Sequence, residues 1–306
     1  MSRPDAALWP YTPQPFQRGR RRGLGHPQLV GFLQDLSPLG QLQDGPDVRV
    51  YRERPNLVCE VRLPSNSGLP GVLLIVKSFG WRGPQHYLLS PFKRSQAMRA
   101  YRVACHLLAH GLRTPLPLGV LEERRWGFVQ YNVYATEALT NFMTLKQYRA
   151  VLPEGAAGLE EVMHLVADYI RRMHDSGLWH RDITTSNVLL IGPPGNRQVY
   201  LVDLNRARRL PCMPAWLRAI DLARLGWGKW QPQFCALYSS GRFATARLLW
   251  VIRLYSRWRT WRWHVRRVLR KISRSPAPGC VWKKGLRRSP GSHAAPPQAA
   301  GRAPEQ

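Results

Sequence analysis

Apolar and polar residues alternate in DVRVYR (47–52) and LVCEVRL (57–63), and the run GVLLIVK (71–77) is apolar almost throughout. Alternation sends every second side chain to one sheet face, so these segments predict three consecutive antiparallel strands, with Lys77 ending the third. The spacing then changes. Ala97, Tyr101, Ala104, Cys105 and Leu108 recur at three and four residues, which predicts a helix over 94–109 stopped by Gly111. RTPLPLG (113–119) reads as an extended connection, because each proline disfavours the helical region for its predecessor. WGFVQYNVYATEAL (126–139) reads as further strand. Leu159, Val162, Val166, Tyr169, Ile170 and Met173 form one helical stripe that ends at Asp175, Ser176 and Gly177. NVLLIG and QVYLVD predict two strands around a PPGN turn, and PAWLRAIDLARL and the stretch from Ala246 to Ile272 predict helices.

This order predicts an α+β chain of two lobes. The small, strand-rich lobe with one main helix covers 46–138, and the larger helical lobe covers 139–274. Residues 1–45 are expected to be a basic, partly disordered extension, since the first 25 or so are rich in Pro, Gln and Arg without periodicity. Residues 275–306, dominated by Pro, Gly, Ser and Ala, are expected to be a disordered tail.

The stretch 179–206 carries the chemistry. Asp182 lies in a His-Arg-Asp tripeptide, Asn187 follows five residues later before an apolar strand, and Asp203 ends the next strand. In phosphoryl transfer an aspartate orients or deprotonates the acceptor hydroxyl from hydrogen-bonding distance, about 3 Å. An asparagine and a second aspartate hold magnesium as hard oxygen ligands against the nucleotide phosphates. The spacing supplies Asp182 for the first role and Asn187 and Asp203 for the second, with Lys77 as the phosphate contact and ATP and Mg2+ as cofactors. The alternative is an ion-free turn in which Asp182 is a cap and Asp203 a strand end. Two companions of Lys77 are missing. The ERPN loop between the first two strands has no glycine, and no acidic residue occurs between Glu60 and Glu122, so the helix over 94–109 offers Lys77 no glutamate. Either Glu60 or the magnesium-bound nucleotide must orient Lys77, or the chain is a weak or inactive kinase.

These residues resemble the bacterial lipopolysaccharide core kinases, the Kdo and heptose kinases of protein-kinase-like fold. The resemblance rests on VKSF (76–79), SQAMRAYRVACHLLAHGLRTPLPLG (95–119), HRDITTSNVLL and YLVDLNRAR (200–208), and covers about 50–250. It implies ATP-dependent phosphorylation of a sugar hydroxyl in the lipopolysaccharide inner core. That reaction would occur at the cytoplasmic face of the inner membrane. Only LNRARRLPCMP separates Asp203 from the next helix, with no long activation segment, which argues for a glycan or small acceptor.

Charge sharpens the choice of acceptor. There are 46 Lys and Arg against 18 Asp and Glu, a net +28, and a field of that sign concentrates anions and repels cationic antibiotics. An antibiotic-type phosphotransferase is therefore the weaker enzyme reading. A catalytically inert module binding an anionic membrane or glycan is the reading from another class. A specific nucleic-acid partner is not expected, because it would leave the central motif without a purpose. The five scattered cysteines form no CxxC pair and fit a reducing compartment, and no apolar run is long enough to span a bilayer. The expected location is cytoplasmic and peripheral on the inner membrane. Residues 242–274 interleave Arg and Trp in LYSRWRTWRWHVRRVLRK; this helix either lies on an anionic membrane surface or packs its apolar face on the core. Asp221 either braces the backbone at Arg181 or is an ordinary helix-surface charge.

Overall fold

The computed structural model describes residues 11–36, 47–52, 56–63, 71–80, 84–151, 157–241 and 244–272. Compact units divide the chain after Arg259. The expected tail over 275–306 lies outside the described residues, as do residues 53–55 of the ERPN loop.

The small lobe is built on a seven-stranded antiparallel sheet of order β1-β2-β6-β7-β5-β4-β3. Its strands are β1 (Gln14–Arg18), β2 (Arg21–Gly25), β3 (Val48–Arg52), β4 (Asn56–Arg62), β5 (Leu73–Phe79), β6 (Pro117–Arg125) and β7 (Phe128–Glu137). The three strands predicted from the alternating pattern are β3, β4 and β5, paired in sequence order. Two departures from the sequence reading are physical. RTPLPLG does not stay an extended connection: Pro117 opens strand β6, the position at which a proline does not interrupt the hydrogen-bond ladder. The basic extension is also not simply disordered, because residues 14–25 form a hairpin that extends the sheet by two strands.

Glycines explain why that hairpin is hidden in the sequence. Gly25 of β2 pairs with Gly119 of β6. A Cβ on either would lie 2.5 Å or 2.3 Å from Cδ1 of Leu33, so the two bare positions form a slot for that side chain. Leu33 belongs to helix α1 (Val30–Asp35) and is fully buried, a contribution of about 2 kcal/mol. The outer face of the sheet thereby gains a core of its own, in which Leu33 and Phe16 pack with Leu74, Val76, Leu118 and Val133.

Alternation along β5 sends Leu74 and Val76 into this outer core, leaving Ile75 and Lys77 on the opposite face. Helix α3 (Gln96–Ala109) covers part of that face, after the short α2 (Pro84–Leu88). The Ser95 side chain caps α3 by accepting from the Met98 amide at 3.0 Å, and Gly111 with φ +67° follows its end.

The large lobe opens with β8 (Phe142–Thr144) and α4 (Leu145–Val151), followed by α5 (Ala157–Asp175), the helix of the predicted stripe. Next come β9 (Leu178–Trp179), β10 (Val188–Ile191), β11 (Gln198–Leu201) and β12 (Arg208–Arg209). Helices α6 (Ala215–Leu225), α7 (Gln231–Ser239) and α8 (Thr245–Ile272) complete it. In the first turns of α8, Leu248 and Ile252 are buried in the large-lobe core. Leu254, two residues after Ile252, is 54% exposed.

Candidate functional site

Between the two sheets lies a cleft of about 520 Å3, within the range that holds a small-molecule cofactor. Val58, Ile75, Leu139 and Leu189 give it apolar walls, and Lys77, Asn187 and Asp203 converge at a polar end. Three of the four residues singled out by sequence thus share one cavity. Asp182 is not part of its lining, but the Asn187 side-chain amide donates to the Asp182 carbonyl at 3.0 Å and ties the two together.

Lys77 reaches across the cleft from β5, and its ammonium donates to Asp203 Oδ1 at 2.5 Å. Of the alternatives the sequence offers for orienting Lys77, Glu60 is not the observed partner: its carboxylate accepts from the Tyr51 hydroxyl at 3.0 Å, and the lysine is held by Asp203. Where α3 lines the cleft it presents Ala100, and the neighbouring Arg99 guanidinium donates to the Asn205 carbonyl at 3.2 Å. Burial alone would raise the Asp203 carboxyl, but the adjacent Lys77 ammonium, aided by Arg206, brings it below its ordinary value. Asp203 is consequently a carboxylate at neutral pH. It also has φ +62°, a left-handed conformation rarely adopted by non-glycine residues and sustained here by its bonds to Lys77 and Asn205.

The His-Arg-Asp turn is fixed from below. Asp221, fully buried on α6, accepts from the His180 amide at 2.9 Å and the Arg181 amide at 3.0 Å, which holds Arg181 at φ +69°. Of the two readings the sequence left open, the brace is the observed one. His180 is buried, and desolvation lowers its pKa, so the ring is neutral. Its Nδ1 accepts from the Asp182 amide at 3.3 Å, which leaves Nε2 to donate to the Val202 carbonyl at 3.2 Å and couples the turn to the Asp203 strand. His174, also neutral through burial, lies between Asp221 and the Tyr238 hydroxyl. Arg218, one turn before Asp221, joins Asp175 at 2.7 Å to the Met213 carbonyl at 3.0 Å.

Sequence reasoning missed the partners of Asp182. Arg224 donates to Oδ1 at 2.7 Å and Arg206 lies 3.2 Å from Oδ2, so both carboxylate oxygens are engaged. Arg224 also donates to the Tyr255 hydroxyl at 3.0 Å and so connects α6, α8 and the turn. Arg181 packs over the Trp179 ring at 5.0 Å, and its guanidinium is lowered by burial and then by the like charges of Arg208, Arg206 and Arg224. Two guanidiniums therefore engage the Asp182 carboxylate, and those of Arg181 and Arg208 lie within electrostatic reach of that pair. A signal existed in the three-residue spacing of Arg218, Asp221 and Arg224, which places three charges on one side of a helix that also buries Leu217, Leu222 and Leu225.

The residues present suit a magnesium nucleotide. The cleft supplies an apolar compartment, an ammonium, the ionised Asp203 and the Asn187 amide oxygen, while the buried Oδ1 of Asn205 at the same end has no hydrogen-bond partner. Two oxygen ligands are what magnesium takes from a protein when phosphates and water provide the others. Among the described residues no group of three or more His, Cys, Asp or Glu could hold a metal by itself.

The sequence pattern of the lipopolysaccharide kinase (Kdo/WaaP) family matches residues 84–234. That segment contains Asp182, Asn187, Asp203, Arg206, Asp221 and Arg224; Lys77 precedes it. A 3-deoxy-D-manno-octulosonic acid kinase from Photobacterium damsela subsp. piscicida is 25% identical over 132 residues, 43% of this chain. The match spans 52% of that relative, about half its length. The fold is similar to that of WaaP in a complex with acyl carrier protein, with a TM-score of 0.51 and 20% identity over 72% of this chain and 90% of that one. At that identity the likeness shows a shared kinase-like, two-lobed fold.

Proposed function

Because this chain belongs, through residues 84–234, to the lipopolysaccharide kinase (Kdo/WaaP) family, we propose that it transfers a phosphoryl group from ATP to a sugar hydroxyl of the lipopolysaccharide inner core. In this reading it works at the cytoplasmic face of the inner membrane. One observation carries the proposal: Lys77 from the small lobe meets Asp203 and Asn187 from the large lobe in a single cleft, with Asp182 attached to its rim through Asn187.

Lys77 would contact the nucleotide phosphates, exchanging part of its bond with Asp203 for theirs. Asn187 and Asp203 would hold magnesium, and the bound metal nucleotide supplies a phosphoryl group whose negative charge is partly offset. Asp182 would orient the acceptor hydroxyl and take its proton. For that, at least one arginine has to leave its carboxylate, and a phosphate or carboxylate on the acceptor is the natural competitor for Arg206 and Arg224.

The same two ion pairs favour an alternative, a catalytically inert module whose charged residues serve only structure. Incubation with labelled ATP, magnesium and dephosphorylated lipopolysaccharide core, beside an Asp182→Ala variant, separates the readings. The enzyme reading predicts label in the core with the native chain and little with the variant. Persistent label in the variant would remove Asp182 from its role, and no label with either would favour the inert module.

A further inference from the structure

The tip of the β6–β7 hairpin displays a hydrophobic surface that the cleft does not use. Trp126 and Gly127 form its two-residue turn, with φ +50° and +82°. Such turns favour Asn-Gly, because a bulky residue is strained at positive φ. Here the strained position holds a tryptophan that is 82% exposed. Phe92 is 87% exposed, and Leu88 and Leu89 are exposed with it.

These side chains stand on a braced platform. The Arg124 guanidinium donates to the carbonyls of Ser90 at 3.1 Å and Gly127 at 2.9 Å, fastening the 90–93 turn to the hairpin. Ser90 Oγ accepts from the Val129 amide at 3.0 Å, and the Tyr87 ring stacks on Phe128 at 4.9 Å. A Cβ on Gly127 would lie 3.5 Å from Pro91, so the two turns abut.

Basic residues border the patch. Lys93, Arg94 and Arg125 are exposed, and the Arg125 guanidinium lies 4.4 Å from the centre of the Trp126 ring. Beside Phe92 runs a groove of about 700 Å3 whose lining includes Lys93, Arg94 and Arg102. Its carboxylate, Glu122, is buried and already neutralised by Arg124 at 3.3 Å and Arg22 at 3.9 Å.

We propose that this face of the small lobe is a docking surface for an anionic lipid bilayer, with Trp126, Phe92, Leu88 and Leu89 entering the interfacial layer and Lys93, Arg94 and Arg125 meeting the headgroups. Exposed aromatic and aliphatic groups rimmed by cations have the chemistry of interfacial anchors, and the surplus positive charge selects an anionic surface over a neutral one. The site uses a different stretch of chain from the C-terminal helix, for which membrane contact is one of two readings of the sequence.

The test uses the full chain without ATP or acceptor, so it can fail independently of the kinase reading. Co-sedimentation with phosphatidylglycerol-containing vesicles is compared with pure phosphatidylcholine, for the native chain, Phe92→Ser/Trp126→Asn and Lys93→Glu/Arg94→Glu. Asparagine suits the turn, so Trp126→Asn is expected to preserve the hairpin. The proposal predicts binding to the anionic vesicles alone, weakened at least about tenfold by either double variant while its thermal melt stays native. The charge-reversal variant decides the matter if the first fails to fold. Undiminished binding by a folded variant, or equal binding to neutral vesicles, overturns the proposal. So does self-association of the native chain that the variants abolish, which would assign the face to a second copy.

Discussion

The two ends of the site hold their carboxylates differently. At the inner end Asp203 meets one ammonium, that of Lys77, in a charge-balanced pair beneath apolar walls. At the outer end Asp182 meets Arg206 and Arg224, with Arg181 and Arg208 close behind, so positive charge is in surplus. In the proposed reading the inner end takes a ligand that brings its own cation along with its phosphates, and the outer end takes one that brings a bare negative charge. On that reading the net charge of +28 has a local meaning at the acceptor side that composition alone could not assign.

Removing one carboxylate from each end is the severest test of this contrast. Asp203→Ala and Asp182→Ala are each expected to lower kcat by about a hundredfold to ten-thousandfold. Nucleotide affinity, measured by calorimetry with magnesium, should fall only in Asp203→Ala. If Asp182→Ala also lost the nucleotide, the two ends would not be separate.

The support beneath the outer end is expected to matter for folding as well. Asp221→Ala orphans the buried amides of His180 and Arg181, and urea denaturation should show a stability loss of about 3 kcal/mol. A change below about 0.5 kcal/mol would show that the turn does not depend on Asp221.

A smaller and more selective effect is expected from Arg206→Ala, whose side chain is half exposed. The acceptor KM should rise about tenfold while the ATP KM stays within about twofold. Parallel changes in both would mean that Arg206 serves the cleft as a whole.

The mildest prediction concerns acid. The Asp203 carboxyl sits below its ordinary value in the folded chain, so its stabilising contribution is present above the unfolded value and is lost as pH falls through the lowered folded one. In Lys77→Met the main cause of the lowering is gone, so stability at neutral pH should fall while that at low pH changes little, and the acid-dependent loss should shrink. An unchanged pH dependence would show that the pair contributes little.

Much of this arrangement is legible in the sequence, for identifiable reasons. Asp182, Asn187 and Asp203 stand out because strand β10 and the turn after it give them a fixed spacing, and α3 and α5 because their apolar residues recur at helical intervals. The β1–β2 hairpin is illegible because its contribution to packing is made by missing side chains, Gly23 and Gly25, which weaken a strand pattern while admitting Phe16 and Leu33. Strand β6 is masked by Pro115 and Pro117, and α7 by Pro232 in its first turn. Arg206 and Arg224 are hidden for another reason. Among 46 Lys and Arg no single arginine is conspicuous, and only the fold brings these two to Asp182.

The most direct measurement is single-turnover transfer from labelled ATP to an inner-core acceptor prepared in two forms, with its acidic groups intact and with them reduced to alcohols. The intact acceptor should be labelled, the reduced one about a hundredfold more slowly because nothing displaces the arginines from Asp182, and Asp182→Ala should label neither appreciably. Equal rates for the two acceptors, or label transferred by Asp182→Ala, would contradict the account.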